Sequence, residues 1–209
     1  MYRGLQLQLV VYMDAAMEML RGQHPKKEIL PGGILYYHID DPVLESDTPL
    51  SDEEAEQALL FALRPDGLVN SGEEIYRAMD QDFEGKSQMI PVEIKKNGEI
   101  STARSKVAST EEFAVITRYV EHEIRQCGEA IYAGNIAVNP YRSDIETSCT
   151  YCPYGSVCGM DAKIPGYEYR QFASMKKEEV LDQMQTELAR NRGKEERSDE
   201  MDEGTAERH

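Results

Sequence analysis

Three of the four cysteines in this 209-residue chain fall inside one ten-residue run, Cys149-Thr150-Tyr151-Cys152-Pro153-Tyr154-Gly155-Ser156-Val157-Cys158. Thiols at this density serve a metal centre or disulfides rather than packing, and three cannot all pair among themselves. Tetrahedral zinc and a cubane iron–sulfur cluster each take four ligands. The C-x2-C-x5-C spacing therefore demands a fold that brings a further donor to this loop. Spacing alone does not separate zinc from iron–sulfur. Zinc sites commonly add a second C-x2-C or a histidine pair, whereas His24, His38, His122 and His209 are scattered. Cys127 is the remaining cysteine. It extends an apolar stripe of Phe113, Ile116, Val120 and Ile124 by one step, which places it in a core, where cysteine packs as a small hydrophobe. On that pattern the fourth ligand lies outside this chain; the alternative keeps Cys127 as the ligand.

Hydrophobic residues at 40% and charged residues at 30% give a globular rather than a disordered composition, long enough for a real core. No apolar run approaches the ~20 residues that span a bilayer, and no cationic-then-apolar signal opens the chain. The expectation is a cytoplasmic protein without a membrane partner, where reduced thiols favour metal over disulfide. A formal net charge of −16 argues against a general electrostatic grip on nucleic acid. Part of that charge sits in Glu195, Glu196, Asp199, Glu200, Asp202, Glu203 and Glu207, which read as a solvated tail.

Helical spacing of Leu5, Leu9, Met13, Ala16 and Leu20 predicts an opening helix ended by Gly22 and Pro25. Ile34 to Ile39 reads as a strand stopped by Asp40-Asp41-Pro42. An acidic segment from Glu45 to Glu56 leads to Gln57–Leu63, of open type, and Gly72 to Asp80 reads as a short helix. Met89–Ile94 and Glu99–Thr102 flank Asn97-Gly98 and predict a hairpin with a primed turn. Ser109-Thr110-Glu111-Glu112 carries a capping-box signature and opens the clearest helix, closed by Gly134. A last helix is predicted from about Ser174 to Leu188.

Several segments, in order, resemble the C-terminal nuclease domain of AddB/RexB-type subunits of bacterial ATP-dependent helicase/deoxyribonucleases. They are Gly4-Leu5-Gln6-Leu7-Gln8-Leu9-Val10-Val11-Tyr12, Gly32 to Pro42, Asp66-Gly67-Leu68-Val69, Pro91-Val92 with Lys95-Lys96-Asn97-Gly98, Ala103-Arg104-Ser105, and Ile136 to Tyr141 leading into the cysteines. The resemblance runs from Gly4 to about Arg170. It implies an α/β fold, a partial restriction-endonuclease-like PD-(D/E)XK domain with a mixed sheet flanked by helices and a C-terminal iron–sulfur segment. It further implies that Cys149, Cys152 and Cys158 ligate a 4Fe-4S cluster whose fourth ligand lies upstream. Gln8 and Tyr12, four residues apart on one helix face, are implied to line the active site. The Mg2+-binding D…D-x-K strand of the family precedes this helix, so the chain resembles an N-terminally truncated domain, inactive by itself. The implied function is exonucleolytic resection of double-strand breaks in recombinational repair, with DNA and an AddA/RexA-type helicase–nuclease as partners. The other function class is a non-enzymatic zinc or iron–sulfur interaction module.

The corresponding divisions are 1–147 for the distal nuclease domain, 148–172 for the cluster-binding segment, 173–190 for a helix and 191–209 for a disordered acidic tail. Asp82, Glu93 and Lys95 imitate a D…(D/E)-x-K signature, with Glu93 and Lys95 on one strand face, but they follow the Gln8 helix, and alternating charge on a hairpin accounts for them. Lys95, Lys96, Arg104 and Lys106 form the densest basic patch, open either to phosphate contact or to the ordinary protection of a sheet edge.

Overall fold

A computed structural model describes residues 2, 4–37, 39, 42–46, 48–144 and 146–206, with backbone only for 192–206. His38, Asp40 and Asp41 of the expected first strand and its stop lie outside the described residues, as do Glu207 and His209. The chain divides into two compact units, Met1–Glu121 and His122–His209.

The first unit is organised on a three-stranded mixed sheet. Strand β1 (Gly33–Tyr36) pairs antiparallel with β2 (Asp66–Asn70), in the register Gly33↔Val69 to Tyr36↔Asp66, and β2 pairs parallel with β3 (Val107–Ala108). The central strand, β2, is not evident as a strand in the sequence. Its Asp66-Gly67 opening reads as turn punctuation, yet glycine is needed there for another reason. Gly67 has φ +150°, and a Cβ at that position would overlap the Ile34 carbonyl across the pair. The close approach of β1 to β2 thus depends on a missing side chain.

Helix α1 (Gln8–Gln23) lies along β1. Helix α2 (Asp52–Ala62) settles the open segment before Leu63 as helical. Its cap is a reciprocal box: the Ser51 hydroxyl accepts from Glu54 N at 3.3 Å and the Glu54 carboxylate accepts from Ser51 N at 2.9 Å. Helix α3 (Glu73–Met79) follows β2 directly and packs on it. Helix α4 (Thr110–Tyr132) begins with the capping box expected at Ser109 and Glu112, with bonds of 3.2 and 2.8 Å.

One core cluster gathers Val69, Tyr76, Phe83, Ile90, Val92, Ile94 and Val107, with Leu35, Met79 and Ile100 packed against it. The predicted hairpin contributes to this cluster but is reduced to a single bridge, Ile94↔Ile100. Its turn is also corrected. Gly98 is left-handed at φ +86°, whereas Asn97 does not take the positive φ that a primed turn requires, so Lys95 to Gly98 forms the turn through a 2.9 Å bond. Asn70 ties the pieces together. Its amide donates to Pro31 O at 2.8 Å and to Thr110 Oγ1 at 3.0 Å, and its carbonyl accepts from Gly72 N at 2.9 Å.

The second unit holds a two-stranded parallel sheet, β4 (Tyr141–Ser143) with β5 (Arg170–Phe172), one helical turn, α5 (Gly155–Cys158), and helix α6 (Lys177–Ala206). Among the described side chains of α6, Leu181 and Met184 are buried, one turn apart. The helical backbone continues past residue 190 into the segment read from sequence as a tail. Glu, Lys and Arg are good helix formers, so charge there does not interrupt the backbone. Among the described residues no helix is long and apolar enough to cross a membrane.

Candidate functional site

Residues flanking the cysteine loop meet at β4. Thr147 bridges antiparallel to Arg142 on one edge of the strand, while β5 pairs with the other edge through Arg142↔Gln171. Ser148 N donates to Tyr141 O at 3.0 Å, and the Ser148 hydroxyl accepts from Tyr141 N at 3.0 Å. On the return side, Arg170 N donates to Pro140 O at 2.9 Å and the Tyr141 and Phe172 rings stack at 5.0 Å. The chain from Cys149 to Tyr169 is therefore a loop whose two ends are clasped by one short strand.

Inside the loop, Cys152 N donates to Cys149 O at 3.3 Å in a turn, and Cys158 N donates to Tyr154 O at 2.8 Å within α5. Gly159 stops that helix with φ +65°. All three thiols are unpaired; Cys149 and Cys158 are half-buried and Cys152 is exposed. Soft sulfur donors that are unpaired and not sealed in a core fit a thiolate-bound iron–sulfur centre in donor chemistry. They are not gathered in advance: among the described residues no three His, Cys, Asp or Glu side chains converge closely enough to hold an ion.

Cys127 corrects an expectation. It is exposed rather than packed in a core. The stripe on which it was placed is buried at Phe113, Ile116 and Val120 but emerges at Ile124, 45% exposed, and Ile131, 78% exposed. Helical spacing continues along α4 after the covering layer has ended, so periodicity alone overextends the core.

Two residues near Cys149, Tyr169 and Arg142, had no signal in the sequence. Tyr169 lies some twenty residues downstream, but the β4–β5 pairing returns it to the start of the loop, with the Arg142 guanidinium 4.4 Å over its ring. Hydrogen bonding toward Cys149, then desolvation and the charge of that thiol, push the phenol above its ordinary range, and Arg142 opposes the shift.

In the first unit, Gln8 and Tyr12 occupy adjacent turns of α1, with Gln8 Nε2 donating to Tyr12 Oη at 2.5 Å. Both are exposed. Tyr12 stands on the wall of a groove of about 390 Å3, lined from α1 by Leu9, Met13 and Met17 and from the opposite side by Gly32, Gly33 and Ile34. Tyr12 thus presents a phenol at the edge of this groove, with the Gln8 amide hydrogen-bonded to it.

The charges that imitate a nuclease signature are arranged otherwise. Glu93 is bound by Arg104 at 2.8 Å, and Lys95 pairs with Glu99 at 3.7 Å. Lys106 grips both carboxylate oxygens of Asp66 at 2.6 and 2.7 Å. Three of the four residues in the predicted basic patch therefore have acidic partners, which lowers the net positive field available for phosphate.

The mixed sheet with its flanking helices is that of a nuclease fold, and the chain belongs to the PD-(D/E)XK nuclease superfamily, which residues 1–159 match. Its relatives are more specific. It is 38% identical over 187 residues to the B subunit of the ATP-dependent helicase/deoxyribonuclease of Thermoanaerobacter sp. (strain X514), covering 90% of this chain. The corresponding protein of Lachnoclostridium phytofermentans is 40% identical over 189 residues, covering 86% of this chain, and that of Clostridium botulinum (strain Hall) is 38% identical over 187 residues, covering 90%. The chain spans about 16% of the length of each of these three relatives.

Proposed function

We propose that this chain is the distal part of the nuclease domain of a helicase/deoxyribonuclease B subunit, acting on DNA ends in recombinational repair. The observation that carries the proposal is the similarity to helicase/deoxyribonuclease B subunits, which extends across 86–90% of the chain. The assembled enzyme is a Mg2+-dependent exonuclease that resects double-strand breaks in the cytoplasm, working with an AddA/RexA-type helicase–nuclease. Bound Mg2+ in such a site supplies an activated water and stabilises charge developing on phosphate. The contribution of the 209 residues is to line that site. Tyr12 offers a hydroxyl at the rim of the α1–β1 groove and Gln8, hydrogen-bonded to it, an amide, and together they orient the DNA backbone beside the catalytic carboxylates. The imitation signature of Asp82, Glu93 and Lys95 does not supply the metal site, because Glu93 and Lys95 are already engaged in ion pairs.

Cys149, Cys152 and Cys158 hold a 4Fe-4S cluster together with one ligand that these 209 residues do not supply. The cluster closes the loop clasped by β4 and fastens it to the segment that carries the fourth ligand. By itself the chain neither cleaves DNA nor completes the cluster. Incubating purified chain with Mg2+ and linear duplex DNA is expected to leave the DNA intact. Degradation that disappears with Gln8→Ala would contradict the proposal, since it would place a complete active site inside these residues.

A second reading is favoured by one observation, the exposure of Cys127. A cysteine without a packing role is free to serve as a fourth thiolate, which would make the chain a self-contained zinc or iron–sulfur module acting through protein contacts. It requires a stoichiometric centre that is lost on Cys127→Ser.

A further inference from the structure

Two cations of the first unit converge on one exposed aromatic ring. Phe61 stands in the last turn of α2. The Arg64 guanidinium lies 4.6 Å from its ring centroid and the Lys86 ammonium 3.8 Å, so the two charges are no further apart than those distances taken together. Among the described residues no carboxylate is within ion-pair distance of either. Arg64 is half-buried and fixed in place: its Nη1 donates to Ser87 O at 3.0 Å and to Ile90 O at 3.3 Å. Those carbonyls leave the other N–H groups of its fork, and its charge, uncommitted. Lys86 is exposed.

Folding accounts for only one of the two. A cation just past the C-terminus of α2 is favoured by the helix dipole, and the two carbonyls hold Arg64 there. Lys86 has a carboxylate directly across its backbone bridge, Glu93, but that group is taken by Arg104 at 2.8 Å. The Lys86 side chain lies over Phe61 instead, where it meets a second positive charge. Like charges at this range repel, in a protein with 39 acidic residues against 23 basic ones. The hairpin patch shows the ordinary outcome, since Lys95, Arg104 and Lys106 all have acidic partners.

We propose that Arg64 and Lys86 form a binding site for one backbone phosphate of a DNA strand. The inference rests on the nuclease reading of this chain. Phosphate oxygens accept charge-assisted N–H bonds of about 2.8 Å, and two oxygens of one group can bridge cations at this separation. Arg64 supplies a planar fork already set by the backbone, and Lys86 a compact charge on a flexible stem. The Phe61 ring holds both heads together at the surface. A contact of this kind positions a strand without reading its sequence.

The test measures binding of a fluorescently labelled single-stranded oligonucleotide to the full chain by anisotropy, without Mg2+. At about 0.1 M salt the screening length is about 10 Å, which mutes the remote acidic residues. Lys86→Gln is expected to weaken binding roughly fivefold, equally on different sequences, and to lower the slope of log affinity against log salt by about 0.7. Lys86→Arg should restore both. Lys96→Gln removes the same charge from the exposed hairpin turn and should change neither. Equal losses in Lys86→Gln and Lys96→Gln, or no loss in Lys86→Gln, overturn the inference, while a strand still bound leaves the nuclease reading standing. If the unaltered chain binds no oligonucleotide, but inorganic phosphate raises its melting temperature and not that of Lys86→Gln, the site takes free phosphate and the strand assignment is overturned. Binding of neither probe overturns the inference and removes DNA contact from the reading on which it rests.

Discussion

Asn70 offers the sharpest test of how the fold supports the α1–β1 groove. Its side chain is 1% exposed and makes three hydrogen bonds, to Pro31 O, Thr110 Oγ1 and Gly72 N. Its backbone N also donates to Gly32 O at 2.9 Å, so residue 70 holds the wall on which Gly32 and Gly33 face α1. Asn70→Ala removes all three side-chain bonds and leaves the buried Pro31 carbonyl without its donor. A typical intramolecular hydrogen bond contributes about 1 kcal/mol net, and a stranded buried group costs about 1–3 kcal/mol. Gly72 N is half-buried and can recruit water, which reduces its share. The expected loss is roughly 3 kcal/mol, on the order of 5–10 °C in Tm for a chain of this size. Urea unfolding followed by circular dichroism measures it, because the chain has no tryptophan to report. The midpoint should fall with the slope unchanged. Asn70→Asp should be at least as damaging, since it keeps the acceptor for Gly72 but turns a carboxylate toward the Pro31 carbonyl. A loss below about 0.5 kcal/mol for Asn70→Ala, the scale of ordinary surface substitutions, would refute the assigned role.

Three further outcomes are expected. Gly67→Ala should unfold or aggregate the protein, costing roughly 3 kcal/mol or more through positive φ and overlap with Ile34 O, read as loss of soluble expression and of a cooperative transition. Glu54 has its carboxyl held below the ordinary range, first by the Ser51 backbone N–H and then by the Ser51 hydroxyl. A depressed folded-state pKa means that its stabilisation is present above the unfolded value, near 4.5, and is lost as pH falls through the lower folded value. Helix content measured across that acid range should therefore drop; Glu54→Gln should flatten the drop, and Ser51→Ala, which keeps the backbone donor, should reduce it only in part. Finally, in a nuclease-competent assembly containing these residues, Glu93→Ala should retain DNA degradation within about twofold, whereas a fall of roughly a hundredfold or more, the scale of lost acid–base catalysis, would make Glu93 catalytic.

How much of this could be read from sequence depended on where the deciding contacts lie. The start of α4 was legible because Ser109 and Glu112 encode their capping box locally, and α3 because Gly72 and Asp80 bracket a short helical run. The box at Ser51 and Glu54 was equally local, but the surrounding acidic residues masked it. Strand β2 was hidden, since what makes Asp66–Asn70 a central strand is its partners on both sides, Gly33–Tyr36 and Val107–Ala108. Cys127 was misplaced because periodicity records the face of α4 but not where its cover ends. The cysteine run was visible at once, while the clasp at β4 and the Arg142–Tyr169 contact were not, for both depend on pairings between distant segments.

The most direct measurement of the central claim is iron and sulfide content after anaerobic reconstitution of the chain with a small thiol in excess, compared across single cysteine-to-serine variants. The expected result is a cluster that is lost in Cys149→Ser, Cys152→Ser and Cys158→Ser and unchanged in Cys127→Ser. A stoichiometric centre that forms without the added thiol and disappears in Cys127→Ser would contradict it and assign the four cysteines to one self-contained site.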